Sequence, residues 1–167
     1  GVFTTRGCPE DCIFCASKVT WERRLRNRSI DNVMGEFEDL KSRGVRNLYF
    51  YDDQFSIKPG RAIELCDRMV SSALDFKYVV QIRADTVTPE LAHALKNSGC
   101  LSAAIGVETG NEEMLVKIRK RETKDEIRRA VSLLKKVGVP ITTSYILGLP
   151  GDTHETINQT LEFAREL

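Results

Sequence analysis

Apolar residues recur along this chain first at helical and then at strand spacing, and the alternation repeats to the end. Over 29–42 the apolar positions are Ile30, Val33, Met34, Phe37 and Leu40, an amphipathic helical stripe. Arg43-Gly44 closes it as a helix C-terminus often does. Residues 45–51 are rich in strand formers, 62–74 read as a second helix and 78–83 as a second strand. Thr88-Pro89 opens the next helix, with proline in the first turn where its missing N–H costs little, and Ser98-Gly99 ends it. A strand over 101–108 precedes a helix at 112–118 and another from Thr123, where Thr123-Lys124-Asp125-Glu126 has capping-box spacing. Val139-Pro140 begins a strand to Leu147, and Asp152-Thr153-His154-Glu155 starts the last helix. With the strand-like Val2-Phe3-Thr4-Thr5, this predicts five strands separated by helices. No hairpin dipeptide joins successive strands, so the expected units are parallel β/α with right-handed crossovers. No linker divides them, and 1–167 reads as one domain.

Side chains alternate along a strand, and the alternation predicts which kind of parallel sheet forms. Val79, Gln81, Arg83 and Asp85 share one face against Tyr78, Val80, Ile82 and Ala84. Ala104, Gly106 and Glu108 oppose Ile105 and Val107, and Thr142, Ser144 and Gly148 oppose Ile141, Tyr145 and Leu147. The apolar face should meet helices. The other is polar or small, whereas a closed eight-fold barrel fills its interior with Val, Ile and Leu. An incomplete, wider barrel with a ligand inside fits this pattern, and a half-solvated sheet is the alternative.

Composition adds mainly exclusions. A chain of 167 residues, 41% hydrophobic, can bury one sizeable core, and a formal net charge of +1 gives no field that would draw nucleic acid. The basic runs Arg23-Arg24-Leu25-Arg26 and 117–121 read as solvated faces. No run of about 18 apolar residues predicts a membrane span, and no charged-then-apolar leader precedes the first cysteine. A start on Gly1 and a stop inside a helical pattern suggest a segment of a longer protein.

The most specific chemical signal is Cys8, Cys12 and Cys15, spaced C-x-x-x-C-x-x-C after the first strand. Three thiolates on a [4Fe–4S] cube leave one iron without a protein ligand, where a small molecule can bind and react. Structural zinc wants four closed ligands, yet Cys66 and Cys100 are isolated and His93 and His154 add no ligand pair. An electron-transfer ferredoxin needs a fourth cysteine at matching spacing. Five cysteines, an odd count, argue against a disulfide framework. Cys66, in a helix, and Cys100, at a strand start, read as buried structural thiols.

Gly7-Cys8-Pro9-Glu10-Asp11-Cys12-Ile13-Phe14-Cys15 resembles the signature of radical S-adenosylmethionine (SAM) enzymes, including the aromatic residue before the last cysteine. The resemblance implies a partial (β/α)6 TIM-like barrel, of which this chain would supply the first five β/α units. It implies a [4Fe–4S] cluster on Cys8, Cys12 and Cys15, with SAM chelated at the open iron and cleaved reductively to a 5′-deoxyadenosyl radical. A reductant such as flavodoxin or ferredoxin and an unidentified substrate would be the partners. An oxygen-sensitive cluster and free thiols point to the cytoplasm. A non-catalytic iron–sulfur or zinc module on a β/α scaffold is the competing reading.

The same resemblance carries over residue by residue. Phe14 would lie beside the adenine. Tyr51-Asp52-Asp53-Gln54-Phe55 stands where the family places a Gly-Gly-Glu contact to the methionine amino group. Asp52 and Asp53 depart from that pattern in the manner of cobalamin-associated and methylthiotransferase-like branches, so a cobalamin domain outside this chain is expected. Asp52 and Asp53 point opposite ways on a regular strand, and one carboxylate facing inward suffices to accept from an ammonium group. Glu108, within 105–110 at the end of the fourth expected strand, resembles the ribose-binding position, where a carboxylate accepts from both hydroxyls. Lys120 resembles the basic residue set against the SAM carboxylate, with Arg83 as a substitute. Gly148 and Pro150, in 146–151, resemble the adenine-contacting segment, where glycine permits close backbone approach and proline stiffens the turn.

Overall fold

The computed structural model describes residues 1–167 and turns the alternation into a parallel sheet with helices against one face. Val2 opens the chain by bridging to Phe50 in parallel. β1 (Thr5–Arg6) follows, then the cysteine loop, α1 (Ser17–Trp21) and β2 (Arg26–Asn27), which pairs antiparallel with β1. The remaining order is α2 (Ile30–Ser42), β3 (Asn47–Tyr49), α3 (Pro59–Ser71), β4 (Lys77–Ile82), a 3₁₀ turn (Ala84–Thr86), α4 (Pro89–Asn97) and β5 (Cys100–Glu108). It continues with α5 (Glu112–Lys117), α6 (Lys124–Val137), β6 (Ile141–Tyr145) and α7 (His154–Glu166). The main sheet has order β3-β4-β5-β6, parallel throughout.

The fold is α/β, as expected, but the first expected strand is reduced to the single bridge at Val2 beside β3. The reason is local. Thr4 and Thr5 donate their amides to the Asp52 carboxylate, which diverts the groups that would continue a ladder. The chain then turns into the β1–β2 pair.

Helix starts follow the sequence closely. Ser29, Thr88, Thr123 and Thr153 each accept a first-turn N–H, and Thr123 with Glu126 completes the capping box. Each such cap is worth about 1 kcal/mol. The expected apolar strand face, with Tyr78, Val80, Ile82, Ile105 and Val107, is buried against the helices. Phe37 of α2 meets Phe50 and Phe76 edge-on, with ring centroids 5.9 and 5.7 Å apart, a favoured aromatic geometry. Cys66 and Cys100 are buried in this core, where burial pushes both thiols up, Cys100 to about 12. The opposite sheet face keeps Gln81, Ala104, Gly106 and Ser144 on the wall of a cavity. No helix is long and apolar enough to cross a membrane.

Candidate functional site

The cysteine loop is held from several directions. Gly7 adopts φ +89°, and a side chain there would overlap the Arg24 carbonyl, so glycine is required on both counts. Its amide donates to Asp53 Oδ2 at 2.9 Å, and the Ser17 hydroxyl donates to Asp53 Oδ1 at 3.0 Å. The Ile13 amide donates to the Ile118 carbonyl at 3.0 Å. Asp11 pairs with Arg121 at 3.1 Å and Arg119 at 3.5 Å, and Arg23 Nε donates to the Pro9 carbonyl at 2.9 Å. The arginines of the two basic runs are solvated, as expected, and three of them, Arg23, Arg119 and Arg121, also reach the loop, while Lys120 alone among the cations of these runs is buried. A run of like charge in the sequence does not reveal the single acid it meets after folding.

Cys8, Cys12 and Cys15 share the wall of a cavity of about 370 Å³ with Phe14, Asp53, Arg83, Glu108 and Lys120, within the range of small-ligand sites. Three of the expected contact residues lie off that wall. Asp52, 2% exposed, is occupied by Thr4 N at 2.6 Å, Thr4 Oγ1 at 2.5 Å and Thr5 N at 3.1 Å. Gly148 sits in a turn at φ +87°, where its amide and that of Leu149 donate to Asp152 Oδ2 at 2.9 and 2.8 Å. Pro150 is exposed on the same turn. That segment still approaches the site, because Phe14 and Ile146 pack together against Met114, Ile118 and Leu149.

Three thiols on one cavity wall form the donor set, two half-buried and one buried. No three histidine, cysteine or acidic side chains gather closely enough to hold a single ion. The Ser17 amide donates to Cys15 Sγ at 3.4 Å, a contact of the kind that tunes cluster sulfurs. Burial pushes the Cys8 and Cys12 thiols up, while the Arg83 charge acts against this at both and Lys120 adds to it at Cys12.

Arg83 and Lys120 are buried cations in a net of carboxylates. Arg83 makes two bonds to Asp85, at 3.0 and 2.9 Å, donates to the Lys120 carbonyl at 2.9 Å, and lies 4.0 Å from Glu10 and 3.7 Å from Glu122. Lys120 Nζ is 3.4 Å from Glu108 Oε1 and 3.3 Å from Glu122 Oε2. Despite the desolvation that opposes its charge, Arg83 is held more firmly protonated than a free arginine by these anions, Asp85 foremost after that burial. Burial pushes Glu122 up, against the pull of both cations.

Glu108 reaches the cavity by an irregular backbone. The β5–β6 register shifts between Gly106 and Glu108, and Glu108 takes φ +66°, a conformation that non-glycine residues seldom hold outside special sites. A Cβ at Gly106 would overlap Glu108 Oε1 and sit 3.3 Å from Lys120 Nζ. The missing side chain is what gives this pair its room.

Sequence reasoning did not find Gln54, Glu10 or Glu122. Gln54 lines the cavity, is 3% exposed, and neither end of its amide has a partner. A buried amide in that state is costly and offers a donor and an acceptor to an occupant. Its place after Asp53 was the available signal. Glu122 carried none, because its partners come after folding from the turn that follows β4 and from its own loop.

The radical SAM superfamily model matches residues 2–164. An uncharacterized methyltransferase of Pyrococcus horikoshii is 33% identical over 99% of this chain and 36% of its own length. The anaerobic magnesium-protoporphyrin IX monomethyl ester cyclase of Rubrivivax gelatinosus is 28% identical over 96% of this chain and 29% of its own. The chain thus spans about a third of the curated relatives it matches. Among solved structures, the radical SAM methyltransferase TsrM from Kitasatospora setae, with cobalamin and [4Fe–4S] cluster bound, superposes with a TM-score of 0.91. It is 21% identical over 99% of this chain and 32% of that one. The cobalamin-dependent radical enzyme OxsB superposes with a TM-score of 0.80 at 22% identity, over 97% of this chain and 26% of that one. At these identities the likeness to the solved structures is one of fold.

Proposed function

The chain belongs to the radical SAM superfamily of enzymes, whose cofactors are a [4Fe–4S] cluster and SAM, and from that premise we propose that it is a reductive SAM-cleaving core whose cluster ligands are Cys8, Cys12 and Cys15. The observation that carries the reading is convergence: the three thiols, two buried cations and Glu108 come from three loops and the end of β5 to one cavity. When held by Cys8, Cys12 and Cys15, a [4Fe–4S] cluster would supply the electron for reductive SAM cleavage, replenished by an electron-donor protein. The protein binds, orients and shields.

Asp53 fixes the cysteine loop through Gly7 and Ser17, so its contribution to SAM binding is indirect. Lys120 and Arg83 present positive charge to the SAM carboxylate, and Glu108 accepts from the ribose hydroxyls. The orphaned Gln54 amide is free to bond the methionine end. The Phe14 ring, packed against the cluster of Met114, Ile118 and Leu149, offers a flat apolar surface to adenine. Gln81, Ala104 and Ser144, on the inner sheet face, leave room for a substrate beside SAM.

Methyl transfer aided by cobalamin from outside residues 1–167 is the overall reaction we favour, with a second SAM as methyl donor, because the SAM cleaved to methionine keeps its own methyl group on sulfur. Its support is the naming of the Pyrococcus horikoshii relative as a methyltransferase together with the fold shared with TsrM; the Rubrivivax gelatinosus relative is named a cyclase. Residues 1–167 are proposed to form the core domain of that enzyme, with an electron-donor protein such as flavodoxin or ferredoxin as partner.

Anaerobic reconstitution tests the reading. The expected result is about four irons per chain, a brown protein whose spectrum changes when SAM is added, and 5′-deoxyadenosine formed under strong reductant. A colourless protein that binds zinc instead would overturn it in favour of a metal-binding module.

A further inference from the structure

Glu122 is the one carboxylate of the charge net that has no exposed side-chain surface, and it does not reach the cavity wall. It lies behind the two cations that do. Its Oε2 is 3.3 Å from Lys120 Nζ, and its Oε1 is 3.7 Å from Arg83 Nε and accepts the Asp85 amide at 3.4 Å. Lys120, 6% exposed, therefore has two carboxylate partners, one on the wall, Glu108, and one behind it, Glu122.

Two partners for one buried ammonium have a physical consequence. If Glu108 is to accept from a ligand, it must loosen its hold on Lys120, and a buried cation left alone is strongly unfavourable. With Glu122 in place the ammonium stays neutralised while Glu108 turns away. Without Glu122, Glu108 would be the remaining carboxylate within 4 Å of Lys120, and the two groups meant for the ligand would bind each other.

We propose that Glu122 is a positioning residue which frees Glu108 for ligand by holding Lys120 from behind. The inference rests on the SAM-binding reading above. Glu122 never meets the ligand; it acts through Lys120 and, at longer range, through Arg83.

Binding measurements on the reconstituted protein test this through a double-substitution cycle. Glu122→Gln should keep the iron content of the unsubstituted protein and weaken SAM binding about tenfold or more. Glu108→Gln should weaken it too, and Glu122→Gln added to Glu108→Gln should cause little further loss, since the competing pair has already gone. Independent structural damage would instead add in full. Circular dichroism checks the fold; if Glu122→Gln does not fold, Glu122→Asp, which keeps the charge but sets it back by one methylene, carries the same comparison. Equal SAM affinity of the Glu122 variant and the unsubstituted protein, or full additivity in the cycle, overturns the inference alone. No SAM binding by the unsubstituted protein takes down the proposed function and this inference with it.

Discussion

Asp52 and Asp53 are adjacent in the chain and hold different things: Asp52 fastens the backbone of Thr4 and Thr5 from the buried side, while Asp53 fastens Gly7 and Ser17 from the cavity wall. One secures the start of the fold and the other secures the loop that carries the cysteines.

The pair should separate on substitution. Asp52→Ala strands the Thr4 and Thr5 donors in a buried setting and should lower unfolding stability by about 2–4 kcal/mol. Asp53→Ala should cost about 1 kcal/mol or less but lower iron retention. Denaturant unfolding and iron analysis of both variants give the answer, and matching stability losses would contradict the division of labour.

Replacing Cys8, Cys12 or Cys15 singly by Ala should abolish stable cluster binding with helix and strand content retained, because the three sit on a loop outside the regular elements. Cys66→Ala and Cys100→Ser serve as controls that keep iron. A triplet variant with a full complement of iron would remove that residue from the ligand set.

Glu108→Ala should weaken SAM binding by about 1–3 kcal/mol, the usual loss for hydrogen bonds to a charged group, with iron unchanged. Gly106→Ala tests the same spot from below: its methyl group would displace the Glu108 carboxylate, so SAM affinity should fall with little change in circular dichroism. Unaltered affinity in both variants returns this strand end to a structural role.

Alkaline stability should register Cys100. Its thiol is pushed up to about 12 in the fold, from the 9.0 of a free cysteine, chiefly by burial. A folded-state value above the unfolded one gives a contribution that is complete below pH 9 and lost as pH rises toward 12. Within that window one such proton steepens the decline by up to about 1.4 kcal/mol per pH unit. Cys100→Ala in the cluster-free protein should flatten the decline relative to the unsubstituted chain, as read from unfolding midpoints at pH 9 and above. Parallel declines would show that the thiol ionises as it does in the unfolded chain.

Much of this architecture is legible in the residues. The parity of Gln81, Ala104, Gly106 and Ser144 marks the cavity face, and the hydroxyls of Ser29, Thr88 and Thr123 mark helix starts, because period and capping are local properties. The cysteine spacing, Arg83, Glu108 and Lys120 likewise lead to one cavity. Other features depend on partners distant in sequence. Arg119 and Arg121 stay at the surface, as they read, but their pairing with Asp11 is not visible in the sequence, Glu122 is unremarkable until Arg83 arrives beside it, and the first strand is lost to a carboxylate some fifty residues on. Gly148 and Pro150 keep the expected segment near Phe14, yet their turn is tied to Asp152.

The bond from Ile13 to Ile118, with the pairs from Asp11 to Arg119 and Arg121, also orders events in time. Contacts between such distant parts of a chain carry a larger loop-closure cost than local ones. These contacts can seat the loop bearing Cys8, Cys12 and Cys15 only once the chain through Arg121 is available to fold. Iron and sulfide would be delivered to an acceptor that has already folded, and a nascent chain still emerging during synthesis would have no assembled cradle to offer them.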